Sequence, residues 1–434
     1  MATLTQLLQP MAGLFVQDRY VESEPGSPRF TTRVVPVGDL SQTWPHWSRR
    51  FGRGQSGPVI YGAGTGLDEH ECEIPALAEA LERYCTCTYS KEQFLVASAE
   101  DLGTEALDLD LIPRCSDREL RHPRCPLVAP DKKARIRWVR GLSLSDGRLV
   151  YIPAVMVYLY TGVEPAERIC VQITTGCATH TSFENALVSA ILEVIERDAL
   201  AITWLQRLAL PRIEVNPVPE SLVPYWERCE HASCEINHIF FNATTDIGIP
   251  TIYGVQIAHT NPRLTTIVSC STAIDPVQAL TKVIRDLSAC RIALRPNRFI
   301  PKHIEDFTEL HHGATYMAAR ERADAFSFLL QSPSRQDLND IPALNRNGSE
   351  NSLQAVLRLL RQKGLEVIAI DLTSDEALRG GVRVVRVLIP GLQPFSFVYR
   401  AQFLAHPRLY QAPQRMGYPV YHEDQLNKWP QPFV

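Results

Sequence analysis

The sequence predicts an α+β fold in which antiparallel sheets pack against long helices, and three observations carry that expectation. Strand patterns meet through short turns, as at residues 138–144 and 149–158 around Ser145-Asp146-Gly147. Antiparallel strand patterns alternate with long helical patterns, which indicates an α+β domain. One helical pattern also occurs twice: Glu79-Ala-Leu-Glu82-Arg83 returns as Glu193-Val-Ile-Glu196-Arg197, 114 residues later.

Composition bounds the problem. With 434 residues, 45% of them apolar and 21% charged, the chain has ample core for two or three domains or one large intertwined domain. A net charge of -4 gives no global attraction to nucleic acid or to an anionic membrane. The first residues lack the basic and apolar regions of a signal peptide, and no run approaches the ~20 apolar residues of a span, so a cytoplasmic protein is expected. Eleven cysteines form no compact framework and read as reduced thiols. Cys229, His231, Cys234 and His238 resemble a ligand set, but their spacing matches no standard zinc pattern and the last lies in a strand pattern.

Residues 1–56 read as an N-terminal extension packed on the main domain, with a short helix within 4–14, a break at Glu24-Pro25-Gly26-Ser27-Pro28, and a strand at 31–37. The main domain, 57–434, opens with a strand at 58–61 running into a turn, Gly62-Ala63-Gly64-Thr65-Gly66, and a helix at about 73–87. A dinucleotide fingerprint would need its third glycine where Leu67 stands, and no phosphate-binding loop of the G-x-x-x-x-G-K-[ST] type exists. Residues 107–135 read largely as loop. After the hairpin, Thr174-Thr175-Gly176-Cys177 reads as a turn, and Thr181 with Glu184 as the capping box of a helix continuing to about 208. Strands follow at 234–242, 251–258 and 265–270. Asp275 at the N-cap, Pro276 and Gln278 then start a third helix, carrying Lys282, Arg285, Asp286 and Arg291. Residues 331–352 read as a mobile polar loop, followed by a helix at 353–363, strands at 366–371 and 382–389, and a Pro-containing tail.

The repeated run carries the chemistry. Residues three apart share a helix face, so Glu79 with Glu82, and Glu193 with Glu196, each present two carboxylates in one direction. Such pairs repel unless a cation sits between them, and a divalent metal carrying nucleotide phosphates would satisfy hard oxygen ligands. A solvated helix face explains one such run equally well. The shift that superposes the acids also carries Gly62 onto Gly176, Ala76 onto Ala190 and Arg83 onto Arg197, which favours internal duplication and one shared site.

These residues resemble the YcaO domain, in particular the azoline-forming cyclodehydratases of thiazole/oxazole-modified peptide biosynthesis. The resemblance runs from about Gly62 onward. It rests on Ala78-Glu-Ala-Leu-Glu-Arg-Tyr84, Glu193-Val-Ile-Glu-Arg-Asp-Ala199, the Asp275-Pro276 helix, Asp371-Leu-Thr, residues 384–393 and 403–418, and the tail. It implies binding of ATP and Mg²⁺ through clustered glutamates: Glu79, Glu82, Glu193 and Glu196 as metal ligands, with Arg83, Thr175, Asp286 and Arg291 also on the nucleotide. It implies a catalytic tail with Pro430, Pro432 and Val434, and ATP-dependent conversion of Cys, Ser or Thr in a ribosomal precursor peptide to thiazoline or oxazoline.

Further implied partners are a separate ThiF-like, leader-binding protein and a flavin dehydrogenase in the same complex. A homodimer is compatible with the resemblance, whereas nucleic acid and membrane are not expected partners. The chain departs from the family at Thr65, usually Lys, at Pro75, usually Ser, at Asp286, usually Glu, and at Ala289, usually Gln. Its tail has Lys428 and Val434 where prolines are usual. A YcaO enzyme forming thioamide or amidine, and a degenerate non-catalytic subunit, therefore stay open as alternatives.

Overall fold

Three glycines at alternate positions set the first helix against its strand. The computed structural model describes residues 2–9, 13–15, 17–38, 60–232, 234–344 and 351–434. Gly62, Gly64 and Gly66 lie within β3 (Tyr61–Gly66), not in the expected turn. Period-two spacing puts all three on one face, and that face meets α1 (Glu69–Cys87). A Cβ on Gly62 would lie 2.2 Å from Ala80 N and 2.3 Å from Ala76 O, and one on Gly64 2.2 Å from Cys72 O. Helix and strand therefore touch backbone to backbone, an approach that side chains would block. α1 starts before the expected residue 73 because Asp68 caps it, accepting from Glu71 N, and Pro75 falls inside the helix.

β1 (Arg19–Val21) and β2 (Thr31–Pro36) complete an antiparallel three-stranded sheet with β3. The N-terminal segment thus contributes two of the strands behind the first acidic helix. Among the described residues of the segment expected as helix at 4–14, a helical turn forms only at its start, as the end of Ala2–Thr5. The expected boundary at 56/57 and strand start at 58–59 lie outside the described residues.

A six-stranded antiparallel sheet follows the order β4 (Leu95–Ala97), β5 (Ile136–Ser143), β13 (Ile368–Asp371), β14 (Arg383–Leu388), β7 (Cys177–His180), with β6 (Leu149–Pro153) also on β5. β5 and β6 form the expected hairpin. β6 stops well before 158, at Pro153, which has no N–H to offer the ladder, and a 3-10 turn at Ala154–Met156 follows. The third sheet runs β11 (Thr266–Thr272), β10 (Thr251–Ala258), β9 (Ile236–Asn242), β8 (Arg212–Glu214), β12 (Arg335–Asp337), antiparallel except for β8 with β12. β12 lies in the segment expected to be a mobile loop; residues 345–350 of that segment are outside the described set.

α2 (Phe183–Leu205) joins the two larger sheets, packing on β14 and β7 and also on β11. Its second half is buried all round, from Ile195 to Leu205 except for Arg197, as a helix with protein on every side should be. Its cap falls one residue past the expected Thr181: Ser182 accepts from Asn185 N, while Glu184 receives a hydrogen bond from Asn351 Nδ2 at 3.0 Å. The helix ends before 208, and Arg207 takes a left-handed conformation with φ 48°. α3 (Pro276–Leu294) starts as its sequence demands, with Asp275 Oδ1 accepting from Val277 N and Gln278 N. It lies on β10 and β11 and reaches β3. α4 (Ser352–Gln362) packs on α2, and α5 (Arg408–Arg415) meets its buried half. No helix among the described residues is long and apolar enough to cross a membrane.

The glycine contact yields a test. Gly62→Ala should lower unfolding stability by about 3 kcal/mol, since its Cβ meets backbone atoms that have no rotamer to move to. Urea denaturation of the two proteins measures this.

Candidate functional site

The first acid of each repeated pair is clamped in the same way. Glu79 Oε2 accepts from Ala63 N at 2.6 Å, and its Oε1 lies 2.6 Å from an Arg83 guanidinium nitrogen. Glu193 Oε2 accepts from Gly176 N at 3.0 Å, and its Oε1 lies 3.4 Å from Arg197. Each carboxylate thus spends one oxygen on the backbone before its helix and one on the arginine a turn further on. Gly176 has φ 83°, and a Cβ there would meet Val387 O at 2.3 Å, so only glycine can turn this N–H toward Glu193. Arg83 is further fixed by donating to Tyr61 O at 2.8 Å.

The second acid of each pair faces the space between the helices. Glu82 makes no hydrogen bond or ion pair with any other described residue. Burial, with Glu193 and Glu79 adding like charge, pushes its carboxyl well above the usual glutamate range, while Arg83 and Arg386 pull the other way. Glu196 is buried; its Oε2 accepts from Thr272 N at 3.1 Å and lies 3.4 Å from Lys282 Nζ, and its Oε1 lies 3.7 Å from Arg197. Burial also raises Asp286 on α3, with Lys282 opposing and Glu196 reinforcing the shift. Three helices therefore direct five carboxylates, Glu79, Glu82, Glu193, Glu196 and Asp286, toward one region edged by Arg83, Arg197, Lys282 and Arg386.

Sequence reasoning missed Arg386. It is the buried one of the two arginines of β14, with apolar neighbours on both sides, donating to Ile173 O at 2.7 Å and lying 3.1 Å from Cys177 Sγ. A single cation in Val384-Val385-Arg386-Val387-Leu388 was the available signal, since a buried charge implies a partner. Thr175 sits past Arg197 on the wall of an apolar cavity of about 110 Å³, lined also by Val194, Arg386 and Phe395.

Arg291 does not join the acids. Its Nε donates to Gln256 Oε1 at 2.6 Å and another guanidinium nitrogen donates to Leu264 O at 3.0 Å, and burial lowers it to about 10. Five positions beyond Asp286, it has turned about 140° around the helix and faces β10 and the segment leading into β11. The tail approaches through its aromatic residue: the Phe433 ring is 5.4 Å from Tyr253 and 6.4 Å from Phe395, and Arg197 lies 5.9 Å over the Phe395 ring. Pro430 and Pro432 are buried on either side of Gln431, and Val434 packs on the core cluster that includes Ile284 and Leu287 of α3. Among the described residues no hydrogen bond or ion pair joins these three to the acids. Cys229, His231, Cys234 and His238 do not come together; among the described residues only Glu309, His311 and His312 bring three ligand atoms within 4.8 Å of one another, so an ion among the five acids would be held by one or two of them and complete its shell with phosphate oxygens.

The convergent donors are all oxygen, without thiolate or imidazole, and Glu82 has coordination to spare. That set fits Mg²⁺ and would suit a thiophilic metal poorly. The family described as YcaO cyclodehydratase, ATP- and Mg²⁺-binding, matches residues 63–393. The chain belongs to the YcaO family. ATP and Mg²⁺ are accordingly its cofactors. An uncharacterized protein of Methanothermobacter thermautotrophicus is 26% identical over 383 residues, 84% of this chain and 90% of that protein. A heterocyclase in complex with substrate and cofactor has the same fold, with a TM-score of 0.79 at 21% identity; it matches 100% of this chain, which spans only 57% of the heterocyclase's length. The YcaO from Methanopyrus kandleri, bound with AMPPCP and Mg²⁺, matches with a TM-score of 0.60 at 18% identity over 87% of this chain and 86% of that one.

The raised carboxyl of Glu82 has a pH signature. Below the ordinary glutamate pKa of about 4.3 the group is neutral folded or unfolded and costs nothing. As pH rises from there toward the raised folded value, metal-free protein progressively loses stability. Glu82→Gln should therefore melt at a higher temperature than wild type at pH 8 in chelator, with the advantage fading as pH falls toward 4. Scanning calorimetry across pH measures it.

Proposed function

We propose that this YcaO chain uses ATP to activate a peptide amide, converting Cys, Ser or Thr residues of a ribosomal precursor peptide to thiazoline or oxazoline. The observation that carries the reading is the convergence of acids from α1, α2 and α3 around Glu82, which has no partner of its own among the described residues. Glu79, Glu82, Glu193 and Glu196 would hold Mg²⁺, with Asp286 at the edge. Arg83, Arg197 and Thr175 would face the phosphates. Bound ATP supplies an electrophilic phosphoryl group for the amide oxygen.

The substrate thiol or hydroxyl, giving up its proton, would attack the preceding amide carbon, and the former carbonyl oxygen would take the phosphoryl group from ATP as ADP leaves. Phosphate then leaves, a proton departs from nitrogen, and the ring keeps the C=N bond, so the peptide has lost one water. The chain's own part is positional and electrostatic: Arg83, Arg197 and Arg386 offset negative charge as it moves onto phosphate oxygens. The clamped glutamates keep the acids in place without reorganisation. The apolar cavity beside Arg197 and Arg386 limits the water able to compete with the intramolecular nucleophile. Pro430 and Pro432 would stiffen the tail next to Phe395 and Arg197, holding residues through Val434 in one conformation. Arg291, tied to Gln256, would brace α3 on β10.

A separate ThiF-like, leader-binding partner would deliver the peptide, with a flavin dehydrogenase as a further member that oxidises the azoline. One observation favours a second reading, a non-catalytic partner subunit: Thr65 is engaged with the Thr32 hydroxyl at 2.9 Å, and Ala289 offers no ligand. Formation of thioamide or amidine is the remaining alternative.

Incubation with partner, ATP, Mg²⁺ and a precursor rich in Cys, Ser and Thr should remove one water per modified residue, read by mass spectrometry. Glu193→Gln or Glu196→Gln should cut this about 100-fold or more. Unchanged turnover would overturn the metal assignment, ATP binding without turnover would favour the partner-subunit reading, and full activity without a partner would remove the delivery protein.

A further inference from the structure

The four cations around the acids are held very differently. Arg83 is fixed by Glu79 at 2.6 Å and by Tyr61 O at 2.8 Å. Arg386 is buried and donates to Ile173 O at 2.7 Å. Arg197 bridges Glu193 and Glu196 and rests on Phe395. Among the described residues Lys282 has one contact within ion-pair distance, Glu196 at 3.4 Å, and its side chain is 44% exposed. A lysine on an unbranched stem can leave such a contact by rotamer change, whereas an arginine tied at two or three points cannot.

Resting on the metal assignment proposed above, we infer that Lys282 is an exchangeable counter-ion, neutralising Glu196 in the metal-free protein and giving way when a divalent cation is bound. Glu196 is built to outlast the exchange. Its Oε2 accepts from Thr272 N at 3.1 Å, so the carboxylate keeps its direction when the ammonium moves. An ammonium and a divalent ion sharing one oxygen shell repel each other, and the singly charged, solvent-facing partner is the one free to go. Asp286 on the next turn of α3 and the open exit toward solvent give the displaced ammonium somewhere to settle.

The test reads the lysine directly. Metal-free full-length protein and protein with saturating Mn²⁺ are labelled briefly with an amine-acylating reagent, and modification at Lys282 is quantified by peptide mass spectrometry. Exchange predicts a several-fold rise in labelling of Lys282 with Mn²⁺, while Lys302 and Lys363 stay constant. Lys282→Met should melt below wild type in chelator and level with it in saturating Mn²⁺. Lys282→Arg, which keeps the charge and so guards against a folding defect, should bind Mn²⁺ about tenfold more weakly than Lys282→Met by electron paramagnetic resonance. Mn²⁺ bound equally by all three proteins, with labelling unchanged and the melting deficit of Lys282→Met persisting in metal, would overturn the exchange and leave the metal site standing. Absence of Mn²⁺ binding by every form would overturn both.

Discussion

Like charges held close together are the constraint on which the rest of this structure depends. Burial raises the Glu82 and Asp286 carboxyls, and the neighbouring acids add to it, Glu193 and Glu79 on Glu82 and Glu196 on Asp286. Side chains free to rotate would swing apart. Glu79 and Glu193 are prevented from doing so by two bonds each, one to a backbone amide and one to the arginine four residues on. Those bonds require β3 to lie against α1 at backbone contact and Gly176 to adopt φ 83°. The glycines are thus part of the acidic site, although none carries a charge.

The cost of collecting these acids is offset by burial elsewhere. From Ala199 to Leu205 every residue of α2 is buried. Asp198, just before that stretch and fully buried, is paired with Arg408 of α5 at 2.8 Å and accepts from Gln393 N at 2.8 Å. Arg408 also reaches Asp246 at 2.6 Å. Such a network adds little net stability over an apolar replacement, but breaking it from one side would strand a charge. Its value is geometric: it fixes the rotation and depth of α2, on which Glu193 and Glu196 ride.

Much of this was legible in the sequence, and the failures have physical causes. The acids at matching positions, the Asp275 cap, the β5–β6 hairpin and the central strands rest on short-range patterns, and the structure has them. Gly62-Ala63-Gly64-Thr65-Gly66 was misread as a turn because glycine permits both a bend and close packing; only the helix lying over it decides between them. Ser182 rather than Thr181 caps α2 because neighbouring hydroxyls compete and the chain direction settles the choice. Arg291 was placed on the nucleotide by the resemblance, and the five residues of helix that separate it from Asp286 turn it toward Gln256 and Leu264. Arg386 needed a partner from another element, which no local pattern records.

A single helix also couples the tail to the acids. Leu205 O accepts from Asn427 N at 2.8 Å, Trp204 O accepts from Asn427 Nδ2 at 3.1 Å, and Trp204 Nε1 donates to Trp429 O at 3.1 Å. These anchors lie at the end of α2, about two to three turns beyond Glu196. From them the chain runs back through Gln431, whose carbonyl passes so close to Gly313 that a Cβ there would sit 2.2 Å away, to place Phe433 between Tyr253 and Phe395. The tail therefore begins at one end of α2 and returns beside the Phe395 ring that supports Arg197. A shift of α2 would move the glutamates and the tail's anchor together, whereas loss of the tail would leave the acids placed but remove the packing behind Arg197. The two parts of the site are coupled through one rigid element and separable at one ring.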